Sequence, residues 1–218
     1  MLGWHFTNGF MLRDGQPLVA GKTYRVTPPP RLCWHGLHAS VRVIDALDYA
    51  PGAVVSRVRL SGLIRRDTDK ACATERTVLW CADATRILHE FALAVATDAL
   101  LLSEVQRRPV DPRSWAALAV KQRWLDGSAT SAELDAARDA ALDAAWAAAR
   151  DAARDAAQVA AWDAAQVAAW AAARAAAARV AARDAARDAA WDAALGAYNF
   201  MLTTMLESLA TPQGHRGR

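Results

Sequence analysis

The sequence predicts an α+β protein: a small mixed N-terminal sheet domain with helices, followed by a long Ala-rich α-helix or a helical hairpin. Three observations carry this. "AVVSRVRLSGLI" alternates apolar and polar residues, with Val55, Val58 and Leu60 among the apolar ones, and so reads as a half-buried strand. "ADATRILHEFALAVATDAL" spaces Ile87, Leu88, Phe91 and Val95 as one face of a helix. Between Thr130 and Leu195 there is no Gly or Pro, and Ala, the strongest helix former, dominates.

The elements follow in order. "MLGWHFTNG" reads as a first strand ending in an Asn-Gly turn. A short strand is expected near Tyr24–Val26. "TPPPR" is an extended connector, because three prolines exclude helix and sheet interior. "LCWHGLHAS" supplies a strand and a Gly turn, and Ser40 is placed to cap a helix over Val41–Tyr49 that "APG" stops. "ATERTVLW" is a further strand, and "LLLSEV" is expected to close the sheet. In "VDPRSWAALAVKQRWLDG", Asp111 suits the N-cap, Pro112 the first helical position and Gly127 the C-terminal cap. Thr130 and Glu133 have capping-box spacing. The expected domains are 1–108, a linking helix and turn at 109–130, the Ala/Trp-rich helical region 131–210, and a disordered tail 211–218.

Composition limits the function. Residues 1–130 hold 17 Lys/Arg against 12 Asp/Glu, and 131–218 hold 9 against 11. The mild basic excess is unclustered apart from Arg65–Arg66 and Arg107–Arg108, so nucleic acid is not an expected partner. Three cysteines, Cys33, Cys72 and Cys81, make no disulfide framework. No apolar run approaches the ~18–20 residues of a membrane span. The first residues lack the basic and apolar regions of a signal peptide. A cytoplasmic location and no membrane contact are expected. Cys33, His35, His38, Cys72 and Cys81 are residue types that bind zinc, but C-x-H-x-x-H is not a finger spacing, and no metal is expected.

The Ala/Trp region repeats in fours, and each step drifts by about 40° around a helix. The repeat therefore builds no straight stripe. Placed by angle, however, Val159, Trp162, Trp170, Val180, Trp191, Leu195, Tyr198, Leu202, Met205, Leu206 and Leu209 share a sector about 100° wide. They form an expected helix-packing seam, within the chain or between copies. Asp135 and Arg138 are among the i,i+3 pairs that support the helix.

"LCWHGLHASVRVIDALDYAPGAVVSRVRLSG" resembles a domain of unknown function recurrent in phage and bacterial hypothetical proteins. The resemblance rests on Cys33, Gly36, Leu37, His38, Ala39, Asp45, Leu47, Tyr49, Pro51, Gly52 and Gly62, and covers roughly residues 3–105. It implies no activity. It directs attention to His35, His38 and Tyr49 as ligand-binding candidates, with no cofactor. The order "GLHAS", helix, "VVSRVRLSG" is also similar to the NAD-binding core of ADP-ribosyltransferases. That similarity implies His5, His38 and Glu75 as catalytic residues and NAD as cofactor. The expected function is thus a non-enzymatic phage or bacterial accessory protein. Its N-terminal domain would bind a ligand or protein, and its helix would mediate oligomerisation or partner docking, possible interference with a host system included. An NAD-using transferase and a nucleic-acid binder are the alternatives.

Overall fold

A computed structural model describes residues 1–143 and 192–210. The expectations for Val159, Trp162, Trp170, Val180 and Trp191, for the long Ala-rich helix and for the tail lie outside the described residues. The chain is α+β, as its patterning predicts. Strands β1 (Leu2–Thr7), β2 (Thr23–Arg25) and β3 (Leu37–Ala39) precede a short helix α1 (Val43–Leu47). Long strands β4 (Val54–Arg66) and β5 (Ala71–Asp83) follow, then helices α2 (Thr85–Val105) and α3 (Pro112–Leu125). Residues 131–143 and 192–207 are helical, and Ser208–Ala210 form a 3-10 turn.

All strand pairs are antiparallel. β1 pairs with β4, β4 with β5, and β5 carries both β2 and β3 along its other edge. Just beyond β3, Ser40 and Trp4 exchange backbone hydrogen bonds of 2.7 and 3.0 Å. This bridge joins the β3 end of the sheet to β1. The close approach needs Gly3, where a Cβ would stand 3.0 Å from both the Ala39 Cβ and the Ser40 carbonyl oxygen. The β4–β5 ladder slips once between Arg57 and Val58 and again between Ser61 and Ile64. Gly62 makes the second irregularity, with φ of 71°.

Successive strand residues point to opposite faces. The register therefore sets Gly3, His5 and Thr7 of β1 on one face with Val54, Ser56, Val58 and Leu60 of β4 and Arg76 and Val78 of β5. Leu12, Leu18 and Tyr24 join the buried cluster built on Val54, Val58, Leu60 and Val78. The other face presents Trp4, Phe6, Val55, Arg57 and Trp80. Trp4 meets Trp80 edge to face at 5.7 Å, and the Arg57 guanidinium lies 4.6 Å from the Trp4 ring centre.

Two compact units emerge. One joins Met1–Phe91 to the chain from Leu195 onward; the other is Ala92–Ala194. The C-terminal helical segment thus belongs to the sheet unit. Leu202 and Leu206 are completely buried, while Leu195, Tyr198, Met205 and Leu209 are half-buried. Tyr198 packs edge to face on Phe91 at 6.4 Å, the Asn199 side chain accepts from the Ile44 N–H at 3.3 Å, and Glu207 attracts Arg57. The described apolar residues of the expected helix-packing seam pack within the sheet unit of their own chain. An angular sector identifies an apolar face but not the surface that will cover it.

Two further expectations change. "LLLSEV" closes no sheet; it is the last turn and a half of α2, where Leu and Ala favour helix and no pairing edge is offered. Ser40 caps nothing, because its backbone is committed to Trp4; α1 starts at Arg42, whose guanidinium clamps Asp45. In the second unit the sequence signals hold. Asp111 accepts from the Arg113 N–H at 2.9 Å, Gly127 has φ of 77°, and Thr130 and Glu133 exchange the capping-box hydrogen bonds. Asp135 and Arg138 approach to 3.8 Å on an exposed face. Among the described residues no helix is long and apolar enough to cross a membrane.

Two stability tests follow from the packing. Leu206→Ala should cost about 2–5 kcal/mol, whereas Phe200→Ala, 74% exposed, should change stability by less than about 0.5 kcal/mol; urea unfolding measures both. A Cβ on Gly62 would stand 2.2 Å from the Thr74 Oγ1, which accepts from the Leu63 N–H at 3.0 Å. Gly62→Ala should therefore cost roughly 1–3 kcal/mol by the same measurement.

Candidate functional site

The site grows out of register. His5 on β1 stands opposite Ser56, whose Oγ donates to the His5 carbonyl at 3.1 Å. His38 on β3 stands opposite Cys72 of β5. Leu37 and Ala39 pack against the core cluster, so the His38 ring between them takes the other face of β3, against the Cys33 loop. The Arg76 Nη1 donates to the His38 carbonyl at 2.9 Å. The Arg76 guanidinium is buried in the sheet unit and meets His38 through that backbone carbonyl.

The loop before β3 orients His38. Arg31 and His35 bridge through their backbones, and Cys33 takes a left-handed conformation with φ of 66°. Its N–H thereby donates to the His38 Nε2 at 3.1 Å. A ring nitrogen that accepts carries no proton, so this bond holds His38 in its neutral form with the proton on Nδ1. The loop itself is open to solvent, and Trp34 is 89% exposed.

Burial lowers the His5 pKa well below the usual histidine value, and the nearby Arg76 and His38 push it further. Burial also lowers His38, with Arg76 and Lys70 adding to the effect and the Gly36 backbone opposing it. Arg76, 3% exposed, falls to about 10 through burial, partly offset by Tyr24 and Asp14. It therefore stays protonated at neutral pH. One buried positive charge and two neutral imidazoles result.

That charge has no ion-pair partner among the described residues. Asp14 acts on it only from beyond pairing distance. The Arg76 Nε and the His5 Nδ1 are buried and make no hydrogen bond. Buried polar atoms are nearly always paired, and a buried charge without a counter-charge is costlier still. Both nitrogens, like the Arg57 Nη1 on the other face, are therefore buried polar groups to which the fold gives no partner.

The other expected residues fall elsewhere. Glu75 takes the opposite face of β5 from Arg76. Its carboxylate accepts from Ser61 Oγ at 3.0 Å and from Arg25 Nε at 3.1 Å, and these bonds hold it below the usual carboxylate range. His5 and His38 are near enough to influence each other's charge, and Glu75 is held away from Arg76 on the opposite face. His35 is exposed and bonds the Thr27 carbonyl oxygen at 2.6 Å. Tyr49, 51% exposed, hydrogen-bonds the Asp69 carboxylate and accepts from Lys70 Nζ, which also sits 4.4 Å from the centre of its ring. Of the ligand-binding candidates only His38 touches Arg76, through its backbone carbonyl. All three cysteines are free thiols, and no group of three or more metal-ligating side chains occurs among the described residues. Arg76 is the residue that motif reasoning missed. Its signal was present in "TERTV", where Thr74, Arg76 and Val78 form an inward alternation broken by one charge.

Comparison with family models, with curated proteins and with solved structures yields no match for this chain.

The depressed histidines make stability pH-dependent with a definite sign. The folded His5 pKa lies below the unfolded value of about 6.5, so the unfolded chain takes up a proton first as pH falls. Stability is complete above that value and declines below it, by at most about 1.4 kcal/mol per pH unit for one such group. His5→Gln should flatten the fall in melting temperature between pH 7 and 5 relative to the unmodified protein. An identical slope in both would refute the burial of a neutral His5.

Proposed function

We propose that this chain is a non-enzymatic accessory protein of phage or bacterial origin whose sheet unit binds a small ligand at His5, His38 and Arg76. One observation carries the reading: a buried guanidinium and a buried imidazole, close enough for the first to lower the pKa of the second, each hold an unpaired nitrogen. The resemblance of residues 3–105 to a phage and bacterial domain supports the accessory role. The Ala/Trp-rich region is the element proposed for oligomerisation or partner docking.

Catalysis on NAD is less well supported. A transferase of the expected kind needs its Glu beside the His residues, to orient the acceptor and stabilise the oxocarbenium-like sugar. Glu75 faces away, engaged by Arg25 and Ser61. A carboxylate cannot change faces without a one-residue slip of the strand. Nucleic-acid binding draws no support either. Arg65–Arg66 and Arg107–Arg108 are exposed but belong to different units.

The test is a two-part assay on the full chain. Incubation with NAD should release no nicotinamide, and Glu75→Gln should leave the protein's behaviour unchanged. Screening a set of small charged and neutral fragments by ligand-observed NMR should find binders whose signals are lost in His38→Ala. Nicotinamide release abolished by Glu75→Gln would overturn the non-enzymatic reading. Absence of any binder competed by the His38 change would overturn the ligand site.

A further inference from the structure

The loop before β3 rests on Cys72. A Cβ placed on Gly36 would stand 3.2 Å from the Cys72 Cβ and 3.3 Å from the Pro30 Cβ. Pro30 and Gly36 flank Cys33 symmetrically in sequence. Between them the chain is pinched shut, with the Arg31 N–H donating to the His35 carbonyl at 2.6 Å and the His35 N–H to the Arg31 carbonyl at 2.9 Å. Cys33 therefore sits near the tip of a short closed loop whose base lies against Cys72.

His38 fixes where that tip goes. His38 and Cys72 are direct partners in the β3–β5 ladder, so their side chains leave the sheet on the same face. The His38 Nε2 accepts from the Cys33 N–H at 3.1 Å. The loop is thus laid over the face that Cys72 occupies, with one imidazole between it and the strand. Burial pushes the Cys72 thiol up and the Cys33 thiol adds to the effect, so the two sulfurs lie within each other's electrostatic reach.

The two thiols differ in access. Cys33 is exposed and Cys72 is completely buried. A dissolved oxidant meets Cys33 first, and Cys72 reacts with what Cys33 brings to it. Cys81 stands farther along β5, opposite Ser56, and packs on the core cluster.

We infer that Cys33 and Cys72 form a reversible disulfide, a redox modification site that fastens the Arg31–His35 loop to β5. The oxidant is a peroxide. The Cys33 thiolate attacks one peroxide oxygen, the O–O bond breaks, and the departing hydroxide takes up a proton to leave as water, giving the sulfenic acid. The Cys72 thiolate then attacks the sulfenic sulfur. The S–S bond forms, the S–O bond breaks, and a second water leaves. Two thiols give up two electrons and two protons, and one peroxide becomes two waters. A thiol reductant reverses the bond by exchange. Pairing needs Cα atoms about 4.4–6.8 Å apart. It draws the Cys33 tip toward β5 and takes its N–H away from the His38 Nε2.

The experiment treats the folded full chain with hydrogen peroxide near equimolar to protein, alkylates the remaining thiols and maps peptides by mass spectrometry without reduction. The expected product is a monomer with Cys33 linked to Cys72, Cys81 alkylated, and the link removed by dithiothreitol. Nitrogen-resolved NMR should show the His38 ring signals shift on oxidation and return on reduction. Cys81→Ala should leave the link unchanged. Cys33→Ser should protect Cys72 from the same dose, and Cys72→Ser should let Cys33 run on to the sulfinic acid. If Cys72→Ser does not fold, the peptide map of the unmodified protein still decides.

Cys33 over-oxidised beside an intact Cys72 thiol in the unmodified protein would overturn the inference. So would a bond from Cys33 or Cys72 to Cys81, a bond between two chains, Cys72 oxidised as readily in Cys33→Ser, or a link that forms only in urea. His38 ring signals unmoved by a formed link would overturn the displacement of the loop tip.

Discussion

The register between β4 and β5 is the constraint from which the rest of the sheet unit follows. Side chains alternate along a strand, so a slip of one residue exchanges its two faces completely. With Leu60 opposite Arg76 and Ser61 opposite Glu75, the guanidinium goes inward and the carboxylate outward. The alternative register would bury Glu75 among Leu60, Val58 and Val78 and expose Arg76. Arg25 and Ser61 could not then engage the carboxylate. Gly62 helps hold the observed pairing, because the left-handed turn it makes absorbs the irregularity between Ser61 and Ile64. β5 also carries β2 and β3 on its far edge, so the positions of Tyr24 and His38 depend on the same register.

Much of this fold could be read from the sequence because period-two alternation and helix punctuation are local signals. β4 and β5 follow from alternation in "AVVSRVRLSGLI" and "ATERTVLW", and α3 from Asp111, Pro112 and Gly127. What sequence reasoning missed is non-local. Ser40 has the chemistry of a helix cap, yet its backbone pairs with Trp4, thirty-six positions away, and nothing near Ser40 announces that partner. "LLLSEV" is apolar enough for a strand, but apolarity without alternation does not separate strand from helix. The site was half visible. His5 and His38 were singled out by type, while Arg76 was passed over because charge within a strand reads as solvated surface. Only pairing reveals that it sits on the inward set with Thr74 and Val78.

The C-terminal helical segment makes the sheet unit discontinuous along the chain. Its first part ends at Phe91 and its last part begins at Leu195. The face carrying Trp4, Phe6 and Val55 must be covered, since these side chains are buried to 3% exposure or less. Tyr198, Leu202 and Leu206 bring the apolar surface, and Asn199 and Glu207 bring polar contacts to Ile44 and Arg57. The residues between are tethered to one folded unit at both ends. A change at Leu202 or Leu206 therefore acts on the sheet, although both residues lie more than a hundred positions from it in sequence. Residues 195–209 carry an apolar face, and Leu202 and Leu206 of that face are buried within the sheet unit of the same chain.

The two faces treat their arginines differently, and that difference bears on function. Arg57 is stacked on Trp4 and drawn by Glu207, although its Nη1 is also buried without a hydrogen bond. Its charge thus has an aromatic face and an acidic neighbour within the fold. Arg76 has one carbonyl, two neutral imidazoles and a distant Asp14. Removing a guanidinium from water without a counter-charge opposes folding by several kcal/mol in general. A structural role would be served as well by an apolar side chain opposite Leu60, at lower cost. On the proposed reading the cost is met in the free protein so that a bound ligand can relieve it. The donors then stand ready in a site from which water is already excluded, where a charged hydrogen bond is stronger than at the surface.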